Sequence, residues 1–185
     1  MNSVIENTKA SIKKQDLYAL MKILDIKYKF RNVLEIGAWK GYSAKLWCDL
    51  LQPDYLCTVE KEPFTFMDYG IEKGGFPGSN AMMLYSHDSS DPQTLASVKD
   101  FFKQSYSPVD FLFIDGDHHY DAVKKDFEMY SKLMMDSGVV VFHDALETKI
   151  PGVEVNKFWN EIKGNYKNYE IKETEDSTGI GVLFL

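Results

Sequence analysis

The stretch Asn32–Trp47, NVLEIGAWKGYSAKLW, decides how the rest of the chain is read. It begins as an apolar strand (Val33–Gly37) and continues from about Tyr42 in a helical pattern. A carboxylate, Glu35, stands inside the strand, and two glycines, Gly37 and Gly41, stand where the chain turns. A dinucleotide-binding turn reads G-x-G-x-x-G, its glycines close to a pyrophosphate at a helix N-terminus. Here the pattern is E-x-G-x-x-x-G, with an acid before the first glycine and no glycine between the two. An acid suits a cation better than a phosphate. Taken alone the pattern is equally a plain strand-to-helix turn, so its meaning depends on what surrounds it.

Outward from that stretch, strand and helix patterns alternate. YLCTVE closes a second strand at Glu60, and AMMLYS is a third, reached through the Gly- and Pro-containing loop EKGGFPGSN. DPQTLASVKDFFKQ reads as a helix, capped by Asp91 with Pro92 in its first turn. VDFLFID and GVVVFHD are nearly continuous apolar strands, as expected where both faces of a parallel sheet are covered. Between them YDAVKKDFEMYSKLMM is amphipathic. The helical VEVNKFWNEIKG then precedes two closing strands, YEIKE and GIGVLFL. Upstream, about Thr8 to Lys29 reads as one helix with Leu17, Leu20, Met21, Leu24 and Tyr28 on its apolar face. The expected fold is α/β: a Rossmann-like, doubly wound, seven-stranded, mostly parallel sheet with an antiparallel last strand, in three αβα layers. The 185 residues suit one domain, 1–185, with a helical cap on the substrate side (1–30) and a Rossmann-like core (31–185).

The hydrophobic fraction of 44% argues against disorder, and a net charge of −7 without a basic block argues against nucleic acid. Cys48 and Cys57 have no metal-type pairing and read as reduced core residues. No apolar leader or membrane-spanning run is seen, so a cytoplasmic, soluble chain with no membrane partner is expected.

Sheets of this kind bind ligands at the carboxyl ends of their strands. The first strand releases Gly37, Ala38, Trp39, Lys40 and Gly41; the second ends on Glu60; the third releases Ser86, His87, Asp88 and Ser89. The fourth releases Asp115, Gly116, Asp117, His118 and His119, and the fifth His143 and Asp144. All four histidines thus fall at the expected ligand edge, where imidazole serves proton transfer or metal binding. Strand ends are solvated, so any single member of this set can be incidental. A carboxylate at Glu60 suits a ribose diol, and Glu35 tolerates a cationic ligand such as S-adenosylmethionine, which carries a sulfonium and an amino group.

VLEIGAWKGYSAKLW resembles the first motif of class I S-adenosylmethionine-dependent methyltransferases, especially the catechol and caffeoyl-CoA O-methyltransferase group. The later runs VDFLFIDGDHHYDAVKKDFEMYSKLMMDSGVVVFHDA, PGVEVNKFWNEIK and GIGVLFL resemble the bacterial and phage methyltransferases labelled cephalosporin hydroxylase-like. Together the resemblance spans roughly Val33 to Leu185. It implies that Glu35, Gly37, Ala38 and Gly41 line the methionine end of the cofactor, with Ser43 binding its carboxylate. Glu60 would hold the ribose hydroxyls, and Asp88 and Ser89 would contact adenine. Trp39 is a candidate wall against the cofactor. In metal-dependent relatives a divalent ion sits on positions matching Asp115, His143 and Asp144, and a base follows three residues after the first acid, here His118. The departure is His143, where an oxygen-only site has an acid; histidine moves the preference from Mg²⁺ toward Mn²⁺, another transition metal, or no metal.

The expected function is therefore methyl transfer from S-adenosylmethionine to a hydroxyl of a small molecule or sugar, assisted by Mg or Mn. His118 and Asp115 are the catalytic candidates, and Asp115 also touches the cofactor side. Alternatives are metal-independent O- or N-methyl transfer and a non-catalytic or NAD-binding module. A homo-oligomer is left open. Asp117 fits either a helix cap or a ligand contact, His119 fits the start of the next helix, and Trp47, Phe158 and Trp159 fit the core.

Overall fold

A computed structural model describes residues 1–24, 29–62, 80–146 and 149–185. Seven strands form one sheet: β1 (Asn32–Ile36), β2 (Tyr55–Glu60), β3 (Asn80–Tyr85), β4 (Val109–Ile114), β5 (Met134–His143), β6 (Lys167–Ile171) and β7 (Ile180–Phe184). Their order is β3-β2-β1-β4-β5-β7-β6, with β7 antiparallel to both neighbours and the other pairs parallel. The chain reverses direction across the sheet between β1 and β4, which is the topological switch point where such sheets bind ligands.

Alternation along the central strands sorts side chains into two cores. Val33, Phe111, Phe113, Val139 and Val141 face α1 (Asn2–Asn7), α2 (Lys14–Ile23) and α3 (Tyr42–Leu51). Leu34, Ile36, Leu112, Ile114, Val140 and Phe142 face α4 (Pro92–Lys103), α5 (Tyr120–Tyr130) and α6 (Val155–Ile162). Because both faces are covered, β1 is buried at every position, which is why its sequence does not alternate. Asp91 accepts from the Gln93 N–H at 2.8 Å and starts α4 as its cap. On α6, Val155, Phe158, Trp159 and Ile162 are buried at helical spacing. Trp159 lies so close to β7 that a Cβ on Gly181 would be 2.7 Å from its ring, and its Nε1 donates to Glu170 at 2.7 Å. Cys48 and Cys57 are free and buried, and burial raises the Cys57 pKa.

Two boundaries differ from the sequence reading. The N-terminal helix is two helices, with Thr8–Lys13 between them: the Thr8 hydroxyl accepts from the Ala10 N–H at 3.1 Å, and Lys13 is extended. Asp16, buried on α2, accepts from the Glu173 N–H at 2.7 Å and from the Ser177 hydroxyl. These tertiary bonds hold α2 against the β6–β7 connection, and no local pattern announces them. Tyr28 lies outside the described residues, as does nearly all of the loop before β3. The second difference is that α5 stops at Tyr130, a 3-10 turn covers Ser131–Leu133, and β5 begins at Met134. Met134 pairs with Val109 before the register shifts between Val109 and Phe111. Leu133, Met134 and Met135 fit either period, and strand pairing decides. Among the described residues no helix is long and apolar enough to cross a membrane.

Candidate active site

The ends of β1 and β4 meet too closely for any side chain but hydrogen at position 37. Gly37 has φ +86°, and a Cβ there would lie 2.0 Å from the Asp115 carbonyl oxygen. Its N–H donates to the Val59 carbonyl at 2.9 Å, and the Asp115 N–H donates to the Ile36 carbonyl at 2.8 Å. The turn then places Trp39 at φ +41°, a costly conformation for a bulky residue. The Glu60 carboxylate holds it there by accepting the Trp39 N–H, and it also accepts the Glu62 N–H at 2.8 Å. Gly41, at φ +77°, caps α3.

A cavity of about 820 Å³ opens over these strand ends. Gly37, Ala38, Trp39 and Ser43 line it from the first turn, Glu60 from the end of β2, and Asp88 and Ser89 from the loop after β3. Asp115, His118, His143 and Asp144 line it from β4 and β5. The structure thus brings eleven of the thirteen expected site residues to one cavity. Glu35 and Gly41 are not among its lining residues. Asp88 is committed within its loop, accepting from the Ser90 N–H at 2.9 Å and pairing with Lys61 at 3.1 Å; together these lower its pKa to about 2.

Glu35 is wholly buried beneath the turn, and neither carboxyl oxygen has a hydrogen-bond partner among the described residues. The same holds for Trp47 Nε1 and for the hydroxyl of Thr58, the residue opposite Glu35 on β2. Burial raises the Glu35 pKa to about 8, although Ser43 and Trp47 nearby draw it down in part.

At the other end of the cavity four ionisable groups interlock. His118 Nε2 lies 2.9 Å from Asp144 Oδ2 and 3.8 Å from Asp115 Oδ1. His143 Nδ1 lies 3.0 Å from Asp115 Oδ1 and 3.2 Å from Asp144 Oδ2. Asp144 is held at φ +57°, as expected of a residue whose position is set by its bonds. Burial opposes the charge on His143, yet the two carboxylates outweigh it and raise its pKa to about 10. The bond to Asp144 likewise raises the His118 pKa. Burial would raise that of Asp144, but the two imidazoles overcome it and hold the carboxyl well below its usual range.

The expected ion-binding set was Asp115, His143 and Asp144. The ligand atoms that converge within 4.8 Å of one another are those of Asp115, His118 and Asp144. His143 stands beside that set, its Nδ1 facing the same two carboxylates. Both imidazoles line the cavity, and the side chain of His118, 41% exposed against 13% for His143, is the more open of the two. His119 stands at the N-cap of α5, with Asp117 accepting its N–H at 3.0 Å. Sequence reasoning missed Tyr42, the Ala10–Ser11 segment and Asp126, all of which line the cavity. The only signal for Asp126 is an acid on the buried face of α5, between Val123 and Tyr130.

The family described as a methyltransferase domain matches residues 34–145. An uncharacterized protein of Sinorhizobium fredii is 29% identical over 160 residues, which are 83% of this chain and 17% of that protein. An uncharacterized protein of Acanthamoeba polyphaga mimivirus is 28% identical over 181 residues, 91% of this chain and 72% of that one. Among solved structures, a candidate caffeoyl-CoA O-methyltransferase from Staphylococcus aureus superposes with a TM-score of 0.65 at 17% identity, covering 99% of this chain and 88% of that one. The MycE methyltransferase of the mycinamycin biosynthetic pathway, in complex with Mg, SAH and mycinamycin VI, gives 0.57 at 15% identity, covering 90% and 47%.

Proposed function

The chain belongs to the methyltransferase-domain family of class I methyltransferases, and on that premise we propose that it methylates a hydroxyl of a small molecule or sugar from S-adenosylmethionine. When bound, the cofactor supplies a methyl group on a positively charged sulfur. The observation that carries the reading is that one cavity joins Glu60 and the Gly37 turn to the His118–Asp144 pair. Glu60 fits a ribose diol: it is a carboxylate at the cavity wall, already oriented by two backbone N–H groups. Ser43 lines the wall in the first turn of α3, where a carboxylate is favoured by the helix N-terminus.

His118 removes the acceptor proton. A neutral hydroxyl is a poor nucleophile, and a positioned base is worth about 10²–10⁴-fold in rate. Asp144 fixes the imidazole through Nε2 and stabilises the imidazolium that forms. Protonated His143 offsets part of the charge of Asp115 and Asp144. The test is isotope-labelled methyl transfer to a panel of hydroxyl-bearing small molecules by wild type and His118→Ala. Labelling of amines but not hydroxyls would refute the O-transfer reading.

A divalent ion is a second reading, favoured by the convergence of Asp115, His118 and Asp144. The ion would supply a Lewis acid for the acceptor oxygen. Two carboxylates and an imidazole suit Mn²⁺ better than Mg²⁺. The Mg and SAH bound together in MycE support this reading. The two readings part at His118, which cannot be base and ligand through the same lone pair.

A further inference from the structure

Asp126 is a cavity-lining acid that the chemistry above does not use. It is 2% exposed, flanked on α5 by the buried Val123, Phe127 and Tyr130. Its Oδ2 rests against Gly116, where a Cβ would be 3.4 Å away. On its other side is Ser89, whose side chain draws its pKa down; burial and the charges of Asp88 and Asp117 push it up to about 6. Among the described residues Asp126 forms no ion pair: Lys61 is taken by Asp88, and Lys125, its neighbour on α5 and also on the cavity wall, draws its pKa down without pairing with it. Nor is Asp126 needed to hold the loop after β3, because Tyr130 does so by donating its hydroxyl to the Ser89 carbonyl at 2.8 Å.

A buried carboxylate with no ion-pair partner is stabilised by N–H donors from whatever fills the cavity it faces. The strand order gives the cavity a direction. His118 and Asp144 lie at the β4 and β5 end, Glu60 lies at β2, and the Asp88–Ser90 loop lies beyond it at β3. A nucleoside with its diol on Glu60 and its reacting end toward His118 therefore directs its base between the β3 loop and α5. Asp88 has already committed both oxygens, one to the Ser90 N–H and one to Lys61. We infer that Asp126 accepts a hydrogen bond from the exocyclic amino group of the cofactor's adenine, and so selects adenine over a 6-oxopurine. This rests on the cofactor reading proposed above.

The test is calorimetric titration with S-adenosylhomocysteine and with S-inosylhomocysteine, which replaces the amino group by a carbonyl. Wild type should prefer the amino compound by about tenfold or more, the worth of one hydrogen bond to a charged group. Asp126→Asn keeps the shape but presents an amide that can donate to a carbonyl, and should cut or reverse the preference. Tyr130→Phe loosens the loop and should weaken both ligands alike, leaving the ratio intact. Equal binding of the two ligands by wild type, or an unchanged ratio in Asp126→Asn, overturns this inference alone. Wild type that binds neither ligand overturns the cofactor reading and this inference with it. If Asp126→Asn does not fold, equal binding of the two ligands by wild type still overturns the inference.

Discussion

Replacing Gly37 by alanine adds one methyl group at the closest approach of two strands. At φ +86° the new Cβ would lie 2.0 Å from the Asp115 carbonyl oxygen and 2.4 Å from its carbon. Both are backbone atoms, so relief requires the end of β1 to move away from the end of β4. That motion strains the Asp115 N–H bond to Ile36 and the Gly37 N–H bond to Val59. The left-handed backbone costs an L residue roughly 1–2 kcal/mol. Forcing a methyl into packed structure costs about 1–3 kcal/mol more. A total loss of about 2–5 kcal/mol is therefore expected, at about 2–4 °C in Tm per kcal/mol for a chain of this size. Urea denaturation followed by circular dichroism measures it, with Gly152→Ala as the control. Gly152 also has positive φ, +82°, but a Cβ there meets nothing within 4 Å, so only the backbone cost of roughly 1–2 kcal/mol applies. Equal losses in the two variants would refute the close approach on which the geometry of the site rests.

His118→Ala should lower kcat by about 10²–10⁴-fold with cofactor affinity nearly unchanged, while His119→Ala, at an exposed helix start, should be mild; a dead His119→Ala with an active His118→Ala would reverse the assignment. Because His118 is protonated up to a pH above its ordinary value of 6.5, kcat should fall as pH drops through that raised pKa, and a pH–rate profile checks this. Glu35 has a folded pKa of about 8 against 4.5 unfolded, so the folded state binds the extra proton and this group's contribution is lost as pH rises from 4.5 to 8. Glu35→Gln, always neutral, should gain stability over wild type across that window and none below it; denaturation at pH 4 and pH 8 compares the two. If the ion reading is right, a chelator should abolish turnover, Mn²⁺ should restore it, and Mn²⁺ bound to the apo protein should give an electron paramagnetic resonance signal that Asp144→Ala loses. Full turnover in excess chelator would leave His118 as the base.

The sheet was legible because its central strands are buried on both faces, which makes Phe111–Ile114 and Val139–Phe142 read as unbroken apolar runs and Val33–Ile36 as one interrupted only by Glu35. The same reading delivered Glu60, Asp115, His118 and Asp144 to one edge, since a strand's last residue fixes where the next side chains emerge. What it could not reach depends on contacts between distant segments. Asp16 binds Glu173 and Ser177 across the fold, so the anchoring of α2 has no local signature. Met134 and Met135 suit a helix or a strand equally, and pairing with Val109 decides. His118 and His143 were both visible as candidates, but which of them is the more open to the cavity depends on how each imidazole is shared between Asp115 and Asp144. Asp126 was hidden among the other charges of α5.

Calorimetric titration of S-adenosylhomocysteine into wild type and Glu60→Ala tests the central claim most directly. Wild type should bind one equivalent. Glu60→Ala, which removes the charged acceptor proposed for the ribose hydroxyls, should bind at least roughly tenfold more weakly. Absence of binding by wild type, or equal affinity in the two proteins, would contradict the account.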